Sequence, residues 1–186
     1  MEILRKIYNF TLDTMQTILM AASVFLVVYI FLFRPFQVSG ESMYPTFKNK
    51  EYIMTNLITL RLHDLKRGDV IVFHAPPDLE KDFIKRIIAL PEDTIYLKDG
   101  YVFVNNAKAY ESPYLKSDVR TYGGSFMKEE VTVTVPTDNY IVMGDNRPFS
   151  SDSREWGFLS KSKIIGKSQF VYWPINTIRW IKNPFN

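Results

Sequence analysis

The chain of 186 residues has no cysteine and only two histidines, His63 and His74. Without cysteine there are no disulfides, no thiolate metal sites and no thiol catalysis, and either a reducing or an oxidising compartment stays open. With two imidazoles, the most that zinc could be offered is a pair of histidines and a carboxylate, which weighs against a metal site. The expectation is no metal and no cofactor. An excess of one charge is missing too. The 23 Lys and Arg are interleaved with 20 Asp and Glu, leaving a formal charge of +3, and no nucleic acid partner is expected. Internal repeats and low-complexity tails are also absent. The length suits one main domain with a small inserted lobe.

One long apolar run is present. No charged residue occurs from Thr14 to Phe33, close to the roughly 20 residues needed to cross hydrocarbon. Arg5 and Lys6 before the run, with Ser39 and Gly40 after it, also suit a cleavable secretory signal. The run is longer than the roughly 7 to 15 apolar residues of a signal, and it ends in Arg34-Pro35, which favours a membrane anchor. Arg5 and Lys6 against Arg34 give a weak positive-inside bias. Residues 1–13 are then cytoplasmic, 14–33 span the bilayer once, and the rest lies outside the cell membrane.

Beyond Pro35 the pattern changes to short extended segments: Phe36–Val38, Glu51–Thr55, Asp69–His74, Asp82–Leu90 and Thr94–Leu97. Ala75-Pro76-Pro77 ends one of them, because proline has no amide hydrogen for a ladder. Lys98-Asp99-Gly100 and Asn105-Asn106 read as hairpin turns. Periodicity fades from Ser112 to Glu130 and resumes at Val131–Val135. The strand Tyr140–Met143 then feeds a polar loop from Gly144 to Arg154, and a loop fixed to a strand end is a common place for function. The aromatic-rich end, from Phe170 onward, carries no assignable role.

Three stretches carry chemistry. Ser42, in Gly40-Glu41-Ser42-Met43-Tyr44, matches only half of the Gly-x-Ser-x-Gly nucleophile elbow, since Tyr44 replaces the second glycine. A serine needs a base in reach, and a lysine can serve if burial keeps it neutral. Strand alternation puts Lys85 on one face with Phe83, Ile87 and Ala89, and sends Arg86 the other way into an ion pair. The same spacing also fits surface basics on an edge strand. In the polar loop, Asp145 or Asp152 can hold an arginine while serine hydroxyls orient a neighbour. A calcium loop is disfavoured by Arg147 and Arg154. Ser160-Lys161-Ser162-Lys163 matches Ser-x-x-Lys, but its companion motifs are missing.

The anchor, Ser42-Met43-Tyr44-Pro45-Thr46, Lys85-Arg86-Ile87-Ile88-Ala89-Leu90-Pro91-Glu92-Asp93 and Gly144-Asp145-Asn146-Arg147 through Ser150, Asp152, Ser153 and Arg154 together resemble bacterial type I signal peptidases, the Ser/Lys proteases also called leader peptidases. The single span and short length are similar to the compact Gram-positive form. The resemblance implies a mostly β protein: an antiparallel β catalytic core at residues 34–97 and 137–186, a small β lobe inserted at 98–136, and one transmembrane helix in front. It implies Ser42 as nucleophile, Lys85 as general base, Ser150 orienting Lys85, Asp152 with Arg154 as a supporting ion pair, and Asp145 and Arg147 as structural supports. Two departures stand out. Ala89 and Glu92 replace glycines usual in the family, which puts the turn near Pro91 in question. Gly40 replaces a serine that helps the oxyanion in some members, so backbone amides, that of Ser42 included, must do more.

The expected activity is removal of signal peptides from exported precursors through an acyl-enzyme. A catalytically silent binding module of the same fold, and a self-processing Ser/Lys protease, are the alternatives. The substrate is expected to lie extended along Phe36, Val38 and Gly40 beside Met43, and along Asp82, Phe83 and Ile84, with small side chains first and third before the cut.

Overall fold

The computed structural model describes residues 1–59 and 63–185. The apolar run forms the second half of one 31-residue helix, α1 (Glu2–Leu32), about 46 Å long at 1.5 Å per residue. The helix starts well before the expected span and is apolar and long enough to cross a membrane, and its apolar window is not buried among the described residues. It passes without a linker into β1 (Phe33–Gln37), where Phe33 is already extended and donates its N–H to Tyr29 O. The Leu57 N–H donates to Leu32 O, and the Tyr29 hydroxyl reaches Met54 Sδ, so the junction is tied to the next strand.

The remaining chain is mostly antiparallel β. Strands β2 (Tyr52–Asn56), β3 (Val70–Ala75), β4 (Asp78–Ala89), β9 (Asn139–Met143), β10 (Leu159–Ser160) and β11 (Ile164–Trp173) join β1 in one sheet of order β1-β2-β11-β3-β4-β9-β10, with β12 (Arg179–Trp180) against β11. Pro76-Pro77 forms the turn of the β3–β4 hairpin, as proline dictates. The aromatic residues from Phe170 to Trp173 complete one long central strand, β11.

A second sheet, order β7-β6-β5-β8, contains β5 (Thr94–Lys98), β6 (Tyr101–Val104), β7 (Ala107–Lys108) and β8 (Val133–Thr134). Its first strand starts before residue 98, because β5 pairs with β6 and β8 and with no strand of the large sheet. Both hairpin turns read from the sequence are present: Asp99-Gly100 and Asn105-Asn106 all have φ > 0, which matches the right-handed twist of the flanking strands.

A core between the sheets gathers Ile88, Ala89, Ile95, Leu97, Val102, Met127, Ile141 and Met143. Leu65, Ile71, Phe73, Ile87, Val142 and Leu159 fill a second core, and Val38, Met43, Phe47, Ile53, Val70 and Val171 a third. Ala89 is therefore not on the face of Lys85 and Ile87. The β4–β9 register shifts between Ile87 and Ala89, and such a bulge interrupts the two-residue alternation on which that expectation rested. Glu92 takes φ +69 at the turn after Pro91, so the left-handed position is kept with a side chain in place of glycine; Ala89 stays in the strand.

Candidate active site

Two strands deliver Ser42 and Lys85 to one place. After β1 the chain is held against the 48–51 segment by Val38 N–H to Glu51 O and Lys50 N–H to Val38 O. It then turns through Gly40 at φ +92, whose N–H donates to Asn49 Oδ1. Backbone bonds from Tyr44 to Glu41 and from Phe47 to Met43 close a compact turn around Ser42. Met43 and Phe47 are its buried anchor, 1% and 0% exposed. Met43, expected against the substrate, is thus core packing behind the serine.

Lys85 lies on β4 opposite Ile71 of β3. It is 3% exposed, its Nζ sits 5.1 Å from the centre of the Phe83 ring, and it donates to Ser42 Oγ at 2.7 Å. Among the described residues it has no carboxylate within ion-pair distance. Burial pushes its pKa down to about 8, with Arg154 adding to the fall and the charges of Asp152 and Asp145 opposing it. A buried amine that gives up its proton near neutral pH and touches a hydroxyl can act as a base toward it.

The loop from Gly144 to Arg154 packs against this pair. Gly144 has no room for a side chain: a Cβ there would run into Ser150 Oγ and the carbonyl of Ser42. Asn146 donates its backbone N–H to Ser42 O at 2.9 Å and its side-chain amide to Glu41 O at 3.0 Å, clamping the serine turn. Ser150 Oγ donates to Asp152 Oδ2 at 2.8 Å. Its expected partner was Lys85, but no Ser150–Lys85 hydrogen bond is formed among the described residues. Asp152 also accepts the Gly144 N–H and a forked pair from Arg154. Burial pushes the Asp152 carboxyl up, but the Arg154 hydrogen bond and charge outweigh it and hold it below the usual range.

Asp145 takes both Nε and Nη2 of Arg86, at 2.9 and 2.7 Å, and accepts the Thr46 hydroxyl. Arg86 thus points away from Lys85 into a fully buried pair, as alternation requires. Arg147 reaches the other way, to Gly144 O and to Thr121 and Glu111 of the segment between the second sheet's strands. Asp145 and Arg147 bind the Gly144–Arg154 loop to neighbouring elements.

A cleft of about 260 Å³ ends at Ser42. Phe36, Val38 and Gly40 line one wall, and Asp82, Phe83 and Ile84 the other. Glu41 and Lys85 are also in the lining, with Ile53, Val72, Phe149 and Ser151, four residues that were not read from the sequence. The Ser42 N–H has no acceptor among the described residues.

This geometry fits the class of serine hydrolases that work without histidine. Residues 11–173 match the family described as signal peptidase, peptidase S26. The chain is 38% identical over 175 residues to signal peptidase I of Bacillus amyloliquefaciens, with 92% of each chain covered. It is 32% identical over 188 residues to signal peptidase IB of Staphylococcus aureus, covering 94% of this chain and 97% of the relative. A crystal structure of a signal peptidase I from Enterococcus faecalis, 27% identical, covers 56% of this chain and 96% of its own with a TM-score of 0.47. The chain belongs to the signal peptidase family, peptidase S26, and is a serine endopeptidase.

Proposed function

We propose that this endopeptidase removes signal peptides from exported precursors at a membrane surface, through an acyl-enzyme on Ser42 with Lys85 as general base. The observation that carries the reading is the 2.7 Å contact between Lys85 Nζ and Ser42 Oγ, with the amine buried and its pKa lowered to about 8. Neutral Lys85 takes the serine proton as Oγ attacks the scissile carbonyl. The Ser42 N–H receives the developing oxyanion; Gly40 offers no hydroxyl, so backbone donors do that work. The lysine then gives its proton to the leaving amine, and neutral again, activates the water that frees the acyl group.

The substrate pairs as a strand in the cleft. β1 is the outermost strand of its sheet, and β9 meets β4 only from Arg86 onward, so the β4 edge before Lys85 is unpaired. A peptide between these edges directs alternate side chains at the walls. The cleft is small, which supports small residues first and third before the cut. In this reading α1 anchors the enzyme with residues 1–13 in the cytoplasm, and Asp152, Arg154, Ser150, Asp145 and Arg147 hold the dyad.

The test is incubation of the full-length protein in detergent with a secretory precursor, beside Ser42→Ala. A trimmed product from the wild type alone supports the proposal; equal trimming by both proteins overturns it.

A further inference from the structure

A pocket of about 340 Å³ opens beside the second sheet, walled by Tyr101, Tyr110 and Leu115 and edged by Lys108, Lys116 and Arg120. Among the described residues, none of these three cations belongs to an ion pair. The one carboxylate in the lining, Glu111, is already taken by Arg147. The cations are nonetheless held in place. Lys108 Nζ stands 3.1 Å and the Arg120 guanidinium 5.1 Å from the centre of the Tyr101 ring. Arg120 donates through Nη1 to Ser117 O and Val119 O, and its stem lies where a side chain at Gly100 would be. Three unneutralised charges around a part-apolar hollow suit an anionic group carried on a short apolar chain.

The position of the pocket says where that group comes from. The substrate cleft ends at Ser42, and Tyr44, two residues on, is outside its lining. The Lys116 ammonium sits 5.5 Å from the centre of the Tyr44 ring. The pocket therefore meets the nucleophile turn at Tyr44, outside the lining of the cleft, and with the residues before the cut in the cleft this is the side left for the chain that follows the scissile bond. The balance of charge differs as well: the cleft lining carries Glu41 and Asp82 beside Lys85, and the pocket lining three cations beside Glu111, which Arg147 already neutralises.

We propose that this pocket receives acidic side chains within the first residues after the cut, which makes Lys108, Lys116 and Arg120 determinants of specificity on the leaving-group side; the proposal rests on the reading of Ser42 and the cleft given above. Opposite charge on the two sides of the scissile bond also fixes the direction in which a precursor lies. The charges are partly open to solvent, so their effect is modest and weakens with salt.

The experiment uses the full-length protein in neutral detergent. Three precursors are identical up to the cut and carry Glu, Ser or Lys at alternate places over about six residues after it, a span of roughly 20 Å. The expected kcat/KM is about three- to tenfold higher for the Glu precursor than for the Ser precursor at low salt, and the ratio approaches one at about 0.5 M salt. Lys116→Glu reverses the order in favour of the Lys precursor, an outcome that loss of folding cannot produce. Equal rates for all three precursors with wild type overturn the subsite and leave the function standing. Cleavage of none of them removes the function and the subsite together. Lys116→Glu slowing all three precursors alike marks a structural residue and overturns the proposal. So does a preference seen only in vesicles containing phosphatidylglycerol and regardless of precursor, which assigns the pocket to a lipid headgroup.

Discussion

As the proposed general base, Lys85 sets the expected pH dependence. With its pKa lowered to about 8, only about a tenth of it is neutral at pH 7, and kcat/KM should rise on one proton from acid to a plateau above that value. A flat profile between pH 6 and about 9, or nitrogen NMR showing Lys85 titrating like a free lysine in the active enzyme, would sink the assignment. The stability effect has a definite sign. The unfolded chain binds the lysine proton up to the ordinary value of 10.5 and the folded chain only up to about 8, so stability rises with pH between them, by roughly 3 kcal/mol in all. Below about 8 both states are protonated and the cost of burying the cation is fully present. Denaturant midpoints across that window, compared with Lys85→Met, measure it: the variant should lose the slope. A second residue, Gly144, does its work by lacking atoms. Gly144→Ala forces apart Ser150 and the Ser42 carbonyl, and a shift near 1 Å at such a place costs about a hundredfold in rate. The expected result is a folded protein, by circular dichroism, with kcat reduced by about that factor.

Among elements, the loop after β9 is the one that everything else grips. Arg147 ties it to Glu111 and Thr121, Arg86 to the β3–β4 hairpin, and Asn146 to the serine turn. Arg147→Ala leaves Glu111 without its partner and the Gly144 carbonyl without its donor; removing one member of a buried pair costs about 3 to 5 kcal/mol. Urea unfolding should show that loss, and Arg147→Lys should recover only part of it, since an ammonium cannot span all three acceptors. These ties also mark how far the sequence could be read. The face of Lys85 with Phe83, the outward turn of Arg86 and both hairpins follow from local rules, alternation and turn chemistry. The bulge that moves Ala89 into the other core is set by pairing with β9, which no local pattern around Ala89 carries. Asn146 holds Glu41 across 105 positions and Arg147 holds Glu111 across 36. Their partners are fixed by tertiary contact alone, so a polar loop was visible while its attachments were not. Met43 misled for a similar reason: adjacency to Ser42 in sequence says nothing about which side of the turn faces the core.

At the scale of the molecule, the feature that matters is the uninterrupted passage from α1 to β1. Ser42 follows Leu32 by ten positions, and the first five of these are a paired strand. With α1 in the bilayer, as proposed, the nucleophile is held at a fixed distance from it by structure and not by a flexible tether. Inserting Gly-Ser-Gly-Ser between Leu32 and Phe33 should leave cleavage of a short soluble peptide unchanged and lower that of a liposome-inserted precursor severalfold, because the loosened domain samples a larger volume. Equal loss on both substrates would point to damage of the domain instead.

With α1 in the bilayer and Ser42 as the nucleophile, as proposed, the rigid junction works as a depth gauge. Ser42 stands at one altitude above the hydrocarbon, so an inserted precursor presents for scission whichever peptide bond its own apolar segment lifts to that altitude. Where two suitable pairs of small residues lie a few positions apart, elevation decides between them, and lengthening the apolar segment of a precursor should move the cut along its chain.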